Sequence, residues 1–149
     1  MVSKSLYIAG ASWFLAQAFK VLGCLIKEKK LDMRFFVRPG GMPSSHSALV
    51  TSMAVSIGFL QGFASSGFAI SAVFAAVVMY DAAGVRLSVS RQSVVLNRIL
   101  QELRERRPKD IQRDVRELIG HTPFQVFAGA LLGACTAFIW LIVSGDIKL

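Results

Sequence analysis

The sequence predicts an all-α integral membrane protein, a bundle of about four transmembrane helices with a cytoplasmic amphipathic helix between spans three and four. Three observations predict it. The 149-residue chain is 54% hydrophobic with a mean hydropathy of +0.54, above the usual range for a soluble chain. Its apolar residues form long runs, and its basic residues collect between those runs. The length fits a single membrane-embedded domain over residues 1–149.

The apolar runs give the predicted spans. They cover residues 6–26, 48–63, 68–84 and 124–143. The first and last are about 20 residues long, enough to cross a hydrocarbon layer of about 30 Å. The middle two, at about 16 to 17 residues, need local thinning of the bilayer or help from flanking side chains. The alternative is a soluble bundle with buried helices, but these runs leave too little polar surface for it in so short a chain.

The positive charge is confined to two segments. The net charge is +8, and 14 of the 17 basic residues lie in residues 27–38 or 86–116. Residues 61–67, between the second and third runs, carry no charge. Cytoplasmic loops of membrane proteins are enriched in Lys and Arg. We therefore expect both basic segments at the cytoplasmic face of a multi-pass protein, of the bacterial inner-membrane type.

The second basic segment contains the predicted amphipathic helix. Val89, Leu96, Leu100 and Leu103 fall near helical spacing, and Pro108 interrupts the pattern. Such a helix suits a membrane surface, where anionic lipid headgroups would meet its basic face. The segment contains no aromatic residue on which a base could stack, so we expect no nucleic-acid partner.

The predicted topology brings three polar stretches to one side of the membrane. Pro-Ser-Ser-His at 43–46 opens the second span, Tyr-Asp-Ala-Ala-Gly-Val-Arg at 80–86 closes the third, and Gly-His-Thr-Pro at 120–123 opens the fourth. A helix N-terminus offers unpaired N–H groups and a partial positive charge to phosphate, and Ser44 and Ser45 can cap the helix or bind an anion. The alternative is a simple glycine turn and serine cap with His46 at the interface.

These stretches, extended to residues 40–48 and 118–123, resemble the motifs of a known family. With Gly129, Gly133, Gln17 and Lys20, they are similar to the small, divergent branch of the type 2 phosphatidic acid phosphatase superfamily. That superfamily also includes the vanadium-dependent haloperoxidases. The resemblance covers nearly the whole chain. It implies a membrane phosphatase of the metal-independent acid-phosphatase type, with no cofactor, acting on a lipid phosphate or polyprenyl phosphate.

The resemblance assigns roles to the two histidines. His121 would attack phosphorus to form a phosphohistidine, and His46 would protonate the departing alcohol oxygen. Gln125 stands where the family has an aspartate. Its amide oxygen can still orient His121, but it cannot offset the imidazolium charge as a carboxylate does.

The cationic part of the family pattern matches less well. Arg38 and Pro39 match the end of the first motif, while Lys30 is one residue out of register. No Ser-Arg pair stands at the family's spacing before His121, and Arg116 is one residue off. In this resemblance the arginines bind the equatorial oxygens of the phosphate. The predicted substrate-binding residues are Arg38, Ser44, Ser45, Asp81, Arg86, Arg91, Lys20 and Gln125.

Lys20 and Asp81 leave two interpretations open. An ionisable residue inside a membrane span, such as Lys20, is costly and is normally paired or functional. Asp81 can replace the missing aspartate beside His121, or it can pair with Lys20 and hold the first and third spans together. Cys24 and Cys135 lie inside apolar runs, and we expect neither a disulfide nor a metal site from them.

Three functions compete at this point. The first is an integral membrane phosphatase, which the paired histidines favour. The second is a non-catalytic protein that binds anionic lipid or acts as a membrane scaffold, which Gln125 and the missing Ser-Arg pair favour. A transporter comes third, because four short spans without inverted repeats argue against it. The sequence leaves the particular lipid and the oligomeric state open.

Overall fold

The computed structural model describes residues 4–28, 41–106 and 120–147 of the chain. These residues form helices and their connections, with no strand among them. The helices are α1 (Lys4–Glu28), α2 (Ser45–Gln61), α3 (Ser66–Ala83), α4 (Val85–Arg106) and α5 (Pro123–Val143). The predicted all-α fold is confirmed, and α4 is the predicted amphipathic helix. Pro108 lies outside the described residues.

Hydroxyl side chains begin three of the helices. The Ser44 Oγ accepts a hydrogen bond from the Ser47 N–H at the start of α2, and the Ser65 Oγ accepts one from the Phe68 N–H at the start of α3. Thr122 caps α5 with Pro123 in the first helical turn. A capping oxygen satisfies one of the N–H groups that a helix start leaves without a partner. The polar residues between the apolar runs therefore fix where the helices begin.

Helix α2 lies at the centre of the bundle and packs against α1, α3 and α5. Lys20 and Ser12 of α1 contact the start of α2 at Ser45 and Ala48 in reverse order, so α1 and α2 are antiparallel. Helices α2 and α3 form an antiparallel hairpin through a turn at residues 62–65. Helix α5 returns beside α2 in the same direction. The starts of α2 and α5 and the end of α3 therefore share one end of the bundle.

Two glycines allow α2 and α5 to pack backbone to backbone. A Cβ atom on Gly129 would collide with the carbonyl group of Ser44, and one on Gly133 would collide with that of Ala48. Ser44 and Ala48 are four residues apart, as are Gly129 and Gly133, so the two contacts follow one another along parallel helices. The spacing of Gly129 and Gly133 is the small-residue pattern that lets membrane helices approach closely. This contact fixes the start of α2 against the first turns of α5.

The interior of the bundle is rich in small and polar residues, beside a small apolar cluster that includes Ile8 and Leu141. Ser12, Ser52 and Ser56 are completely buried, and the hydroxyls of Ser52 and Ser56 donate to carbonyl groups one turn earlier in α2. Most large apolar side chains point outward, with Ile70 72% exposed and Val143 82% exposed. A soluble bundle buries its large apolar residues, so this inverted distribution excludes that alternative. The chain is a membrane helical bundle.

Three helical stretches are long and apolar enough to cross a membrane, namely Lys4–Ile26, Ser66–Leu103 and Pro123–Val143. Helix α2, at 17 residues, is shorter than these. It runs alongside them in the middle of the bundle, so its lateral contacts are with protein as well as lipid. The described part of the chain is thus that of a multi-pass membrane protein.

The two ends of the bundle are distinct, and we name them for their contents. The histidine end contains the starts of α2 and α5 and the end of α3. The hairpin end contains the turn at residues 62–65, the start of α1 and the end of α5. There the Lys4 Nζ lies 2.8 Å from the Asp146 Oδ1. Both basic segments of the sequence continue from helix ends at the histidine end, since α1 finishes there and α4 follows α3 there.

Candidate active site

Backbone hydrogen bonds join the helix ends at the histidine end. The Ser44 N–H donates to the Gln125 carbonyl at 3.1 Å, which ties the cap of α2 to the first turn of α5. The His121 N–H donates to the Ala82 carbonyl at 3.3 Å, which ties the approach to α5 onto the last turn of α3. Three segments that are distant in sequence therefore meet at His121, whose side chain is buried.

The side chain of Gln125 contacts His121 and the helix cap together. Its Oε1 lies 3.3 Å from the His121 Nδ1 and accepts the Thr122 N–H at 3.1 Å. The Thr122 Oγ1 in turn accepts the Gln125 N–H at 3.3 Å, which completes a capping box. One amide oxygen thus holds both the start of α5 and the histidine ring.

This shared oxygen fixes the tautomer of His121. The Thr122 N–H is a donor, so the amide atom that faces it must be the oxygen of Gln125. The same oxygen faces the His121 Nδ1, and an amide oxygen only accepts hydrogen bonds. When the ring is neutral, the Nδ1 atom therefore carries its proton and the Nε2 atom has the lone pair. His121 is held in the tautomer that a nucleophile or base requires.

The serines beside His46 have different surroundings. Ser44 is fully buried, and its Oγ accepts from the N–H and, at 3.0 Å, from the hydroxyl of Ser47. Ser45 is also buried, and its Oγ accepts a hydrogen bond from the Lys20 Nζ at 3.2 Å. Ser44 is thus occupied with capping α2, while Ser45 holds a cation at the start of the helix.

Lys20 reaches the histidine end from the interior of α1. Lys20 is 7% exposed, and a Cβ atom on Gly41 would lie 3.8 Å from its aliphatic stem. Gly41 has a φ of 81°, in the left-handed region that favours glycine. The hydrogen-bond partner of Lys20 in the structure is Ser45, where one of the two sequence-based interpretations had suggested Asp81.

His46 and Asp81 lie on the first turn of α2 and the last turn of α3. The His46 side chain is exposed and the Asp81 side chain is half-buried. Asp81 precedes Ala82, whose carbonyl accepts the His121 N–H. Both residues therefore belong to elements that meet at the histidine end.

The predicted arginines are placed differently. Arg38, like Lys30 and Arg116, lies outside the described residues, as does the side chain of Arg86. Arg91 is exposed on α4, which packs against α3 and no other described helix. The structure therefore does not bring Arg91 to the group formed by Lys20, Ser45, His121 and Gln125.

No metal-binding group is visible in the parts of the chain that the structure describes. No cluster of three or more His, Cys, Asp or Glu side chains occurs there. Cys24 is buried, Cys135 is exposed, and neither is joined in a disulfide.

Sequence reasoning missed two residues of this site. Thr122 is the cap that shares the Gln125 oxygen with His121, and Ser47 supports Ser44 from within α2. The sequence does contain a pattern that predicts the Thr122 cap, because Thr-Pro-Phe-Gln at 122–125 has the Thr-x-x-Gln spacing of a capping box. Ser47 had no such signal, since a serine one turn inside a helix has many possible partners.

Comparisons with known proteins place the chain in a family. The model of the Divergent PAP2 family matches residues 1–136. The uncharacterized membrane protein YuiD of Bacillus subtilis (strain 168) is 38% identical over 133 residues, which is 83% of this chain and 84% of that relative. No solved structure matches the chain. The protein is a member of the Divergent PAP2 family, as the resemblance of its histidine motifs indicated.

Proposed function

We propose that this protein is an integral membrane phosphatase that hydrolyses a lipid phosphate or polyprenyl phosphate through a phosphohistidine at His121. The observation that carries the proposal is the hydrogen-bond arrangement of Gln125. Because its Oε1 accepts from the His121 Nδ1, the Nε2 atom has the lone pair that attack on phosphorus requires. Membership of a family named for the type 2 phosphatidic acid phosphatases supports the same reaction class.

The surroundings of His121 suit a phosphate group. Helices α2 and α5 begin side by side, and each carries a partial positive charge at its N-terminus. Lys20 adds a full positive charge beside the start of α2. Together these groups favour a bound dianion and the negative charge that collects on the phosphoryl oxygens during transfer.

The reaction proceeds in two displacements. In the first, the His121 Nε2 forms a bond to phosphorus while the bond from phosphorus to the alcohol oxygen breaks, and His46 gives that oxygen a proton. In the second, His46 takes a proton from water, the water oxygen bonds to phosphorus, and the bond to Nε2 breaks. Inorganic phosphate leaves, and both histidines return to their starting protonation states.

The location of the site suits a lipid substrate at the cytoplasmic face. The histidine end lies where apolar helices stop, so the hydrocarbon chain of a substrate would remain in the bilayer while its phosphate meets His121. Two basic segments continue from this end, as expected of a cytoplasmic face.

Labelling of an Ala64→Cys variant, in a background lacking Cys24 and Cys135, tests this orientation. The reagent should react with this cysteine from outside intact cells. Reaction only after lysis would show that the protein has the opposite orientation in the membrane.

Phosphate release from the purified protein tests the activity, with a panel of lipid phosphates as substrates. His121→Ala should abolish release and any acid-labile phosphoenzyme, because nothing replaces a missing nucleophile. His46→Ala should slow release, and a substrate with a better leaving group should restore much of the rate. Ser144→Ala, at the hairpin end, is the matched control and should keep full activity. Equal activity in wild type and His121→Ala would refute the proposal.

Gln125→Glu tests the role of the shared oxygen. A glutamate has the same reach as glutamine, so it can accept from both Thr122 and His121 while adding the negative charge that stabilises an imidazolium. We expect a higher rate, since removing a carboxylate from the corresponding position of the serine-protease triad costs about 10⁴ in rate. Gln125→Asp is one methylene shorter, and its failure to match Gln125→Glu would show that reach as well as charge matters. A slower Gln125→Glu enzyme would contradict this role.

The second candidate is a non-catalytic protein that binds anionic lipid phosphates at the same site. The amide at position 125, where the superfamily has an aspartate, is the observation that favours it. This candidate predicts that His121→Ala weakens lipid phosphate binding without any phosphate release from the wild type. The release assay with the same panel therefore separates the two functions.

A further inference from the structure

Helix α4 exposes an apolar face that no other part of the described structure covers. It packs against α3 and against no other described helix. Leu96, Ile99 and Leu103 are 44%, 48% and 47% exposed. Side chains of this size left uncovered by protein along one helix indicate a surface that contacts lipid or a partner.

Three of the exposed apolar residues, Leu96, Ile99 and Leu103, lie on one side of the helix, with Val95 at its edge and Val94 outside it. At 100° per residue, Val89, Leu96 and Leu103 follow one another every two turns, and Ile99 falls beside them. Arg98 projects from the opposite side, and Arg91 lies two turns before it. The helix as a whole carries five arginines against two glutamates. The helix therefore combines an apolar face with a net positive charge.

The position of α4 relative to the bilayer follows from helix lengths. Residues Ser66–Leu103 form a 38-residue helical stretch, which at 1.5 Å per residue would be about 57 Å long. A hydrocarbon layer is about 30 Å thick. The 18 residues of α3 fill that layer by themselves. Helix α4 therefore begins where the chain leaves the hydrocarbon, at the histidine end.

We propose that α4 lies on the anionic surface of the same membrane, with its apolar face at the boundary between headgroups and acyl chains. Basic residues near a membrane surface are attracted to anionic lipids, and an amphipathic helix adds the burial of its apolar side. A second copy of α4 is a poorer partner, because it would bring two helices of net positive charge together. The anionic surface complements both faces of the helix.

Fluorescence of the full-length protein in lipid nanodiscs tests this surface. An environment-sensitive probe is attached at Leu96→Cys on the apolar face, or at Gln101→Cys on the polar face, in a background lacking Cys24 and Cys135. In nanodiscs containing phosphatidylglycerol, the probe at position 96 should shift to shorter wavelength and be quenched by spin-labelled lipid. The probe at position 101 should show neither change. The difference in wavelength shift and quenching between positions 96 and 101 should be smaller in nanodiscs of phosphatidylcholine alone and at high salt.

A charge variant supplies the control. Arg98→Glu should reduce the quenching at position 96, and Glu102→Gln should leave it unchanged or increase it. Equal quenching at positions 96 and 101 would overturn the proposal, as would quenching that ignores lipid charge. A probe at position 96 that is shielded from water but not quenched by lipid, together with cross-linking between Leu96→Cys copies, would assign the face to a second copy instead.

Discussion

The two ends of the bundle are held together by different kinds of contact. At the hairpin end, side chains make the contacts: Phe63 packs edge-on against Phe59 and Phe68 with ring centroids 5.2 and 5.0 Å away, and Lys4 pairs with Asp146. At the histidine end, backbone groups of Ser44, Gln125, Ala82 and His121 bond to one another. The histidine end is thus assembled largely by the main chain.

At the histidine end, the groups that hold the helices together are therefore different from the side chains of the candidate site. Because backbone hydrogen bonds join the helix ends, the side chains of His46, His121 and Lys20 are not required to hold α2, α3 and α5 together. At the hairpin end, by contrast, the side chains themselves hold the helices together, because the aromatic rings pack against one another. Substitutions at the two ends should therefore have different consequences.

The largest effect is expected where the backbones of α2 and α5 touch. Gly129→Ala places a Cβ atom against the Ser44 carbonyl, so the helices must separate. We expect a loss of about 1–3 kcal/mol of stability, as for other overpacked sites. Gly10→Ala is the matched control, because a Cβ there meets nothing within 4 Å. Thermal unfolding in detergent measures both, and equal melting temperatures would show that the glycine contact is not what sets the spacing of the helices.

A second effect is expected at the buried pair of Lys20 and Ser45. Ser45→Ala leaves the Lys20 ammonium without the acceptor it has in the structure, which should cost about 1–3 kcal/mol. Removing both partners, in Lys20→Met with Ser45→Ala, should recover most of that stability while weakening the binding of vanadate, a phosphate analogue that the proposed phosphatase site should bind. Unfolding and vanadate titration of the single and double variants check this. If the double variant loses as much stability as the two single variants added together, Lys20 and Ser45 do not interact directly.

A smaller effect is expected at the cap of α5. Thr122→Ala removes the hydroxyl that accepts the Gln125 N–H, and such a loss costs about 1 kcal/mol. Activity should fall further than stability explains, because Gln125 also positions His121. Thr122→Ser keeps the hydroxyl and is the control. If both variants lose the same activity, the hydroxyl has no part in positioning the histidine.

The smallest effect is expected at the hairpin end. Hydrogen bonds from Lys4 and then Ser144 hold the pKa of Asp146 below its ordinary value of 3.8. A lowered carboxyl pKa stabilises the fold fully above 3.8, and the contribution is lost as the pH falls through the lower folded value. The melting temperature of the wild type should therefore fall more in acid than that of Asp146→Asn. Identical acid sensitivity would mean that the exposed pair contributes nothing measurable.

The sequence predicted the helices well because their signals are local. Apolar runs and the polar residues between them placed α1, α2, α3 and α5, and the spacing of Val89, Leu96 and Leu103 predicted α4. The run that predicted the second span began at residue 48, whereas α2 begins at Ser45. The three earlier residues are polar, so hydropathy missed them, although the cap at Ser44 explains why the helix includes them.

The site was predicted less completely because its contacts are distant in sequence. Gly129 and Gly133 were visible as part of the family pattern, but only the fold shows that they meet the carbonyls of Ser44 and Ala48. Similarly, a lysine within a span suggests an acidic partner, and Asp81 was a reasonable choice from charge alone. The buried hydroxyl of Ser45 became the partner because α1 and α2 cross there.

The glycine contact between α2 and α5 also has a consequence for biogenesis. A chain that is inserted as it is synthesised delivers α2 to the membrane long before α5. Until then the Ser44 N–H lacks the Gln125 carbonyl, and the surface that will receive Gly129 and Gly133 remains open to lipid or to an insertion chaperone. Completion of the histidine end therefore waits for the synthesis of α5, and a chain terminated before α5 would present an unfinished helix face to membrane proteases.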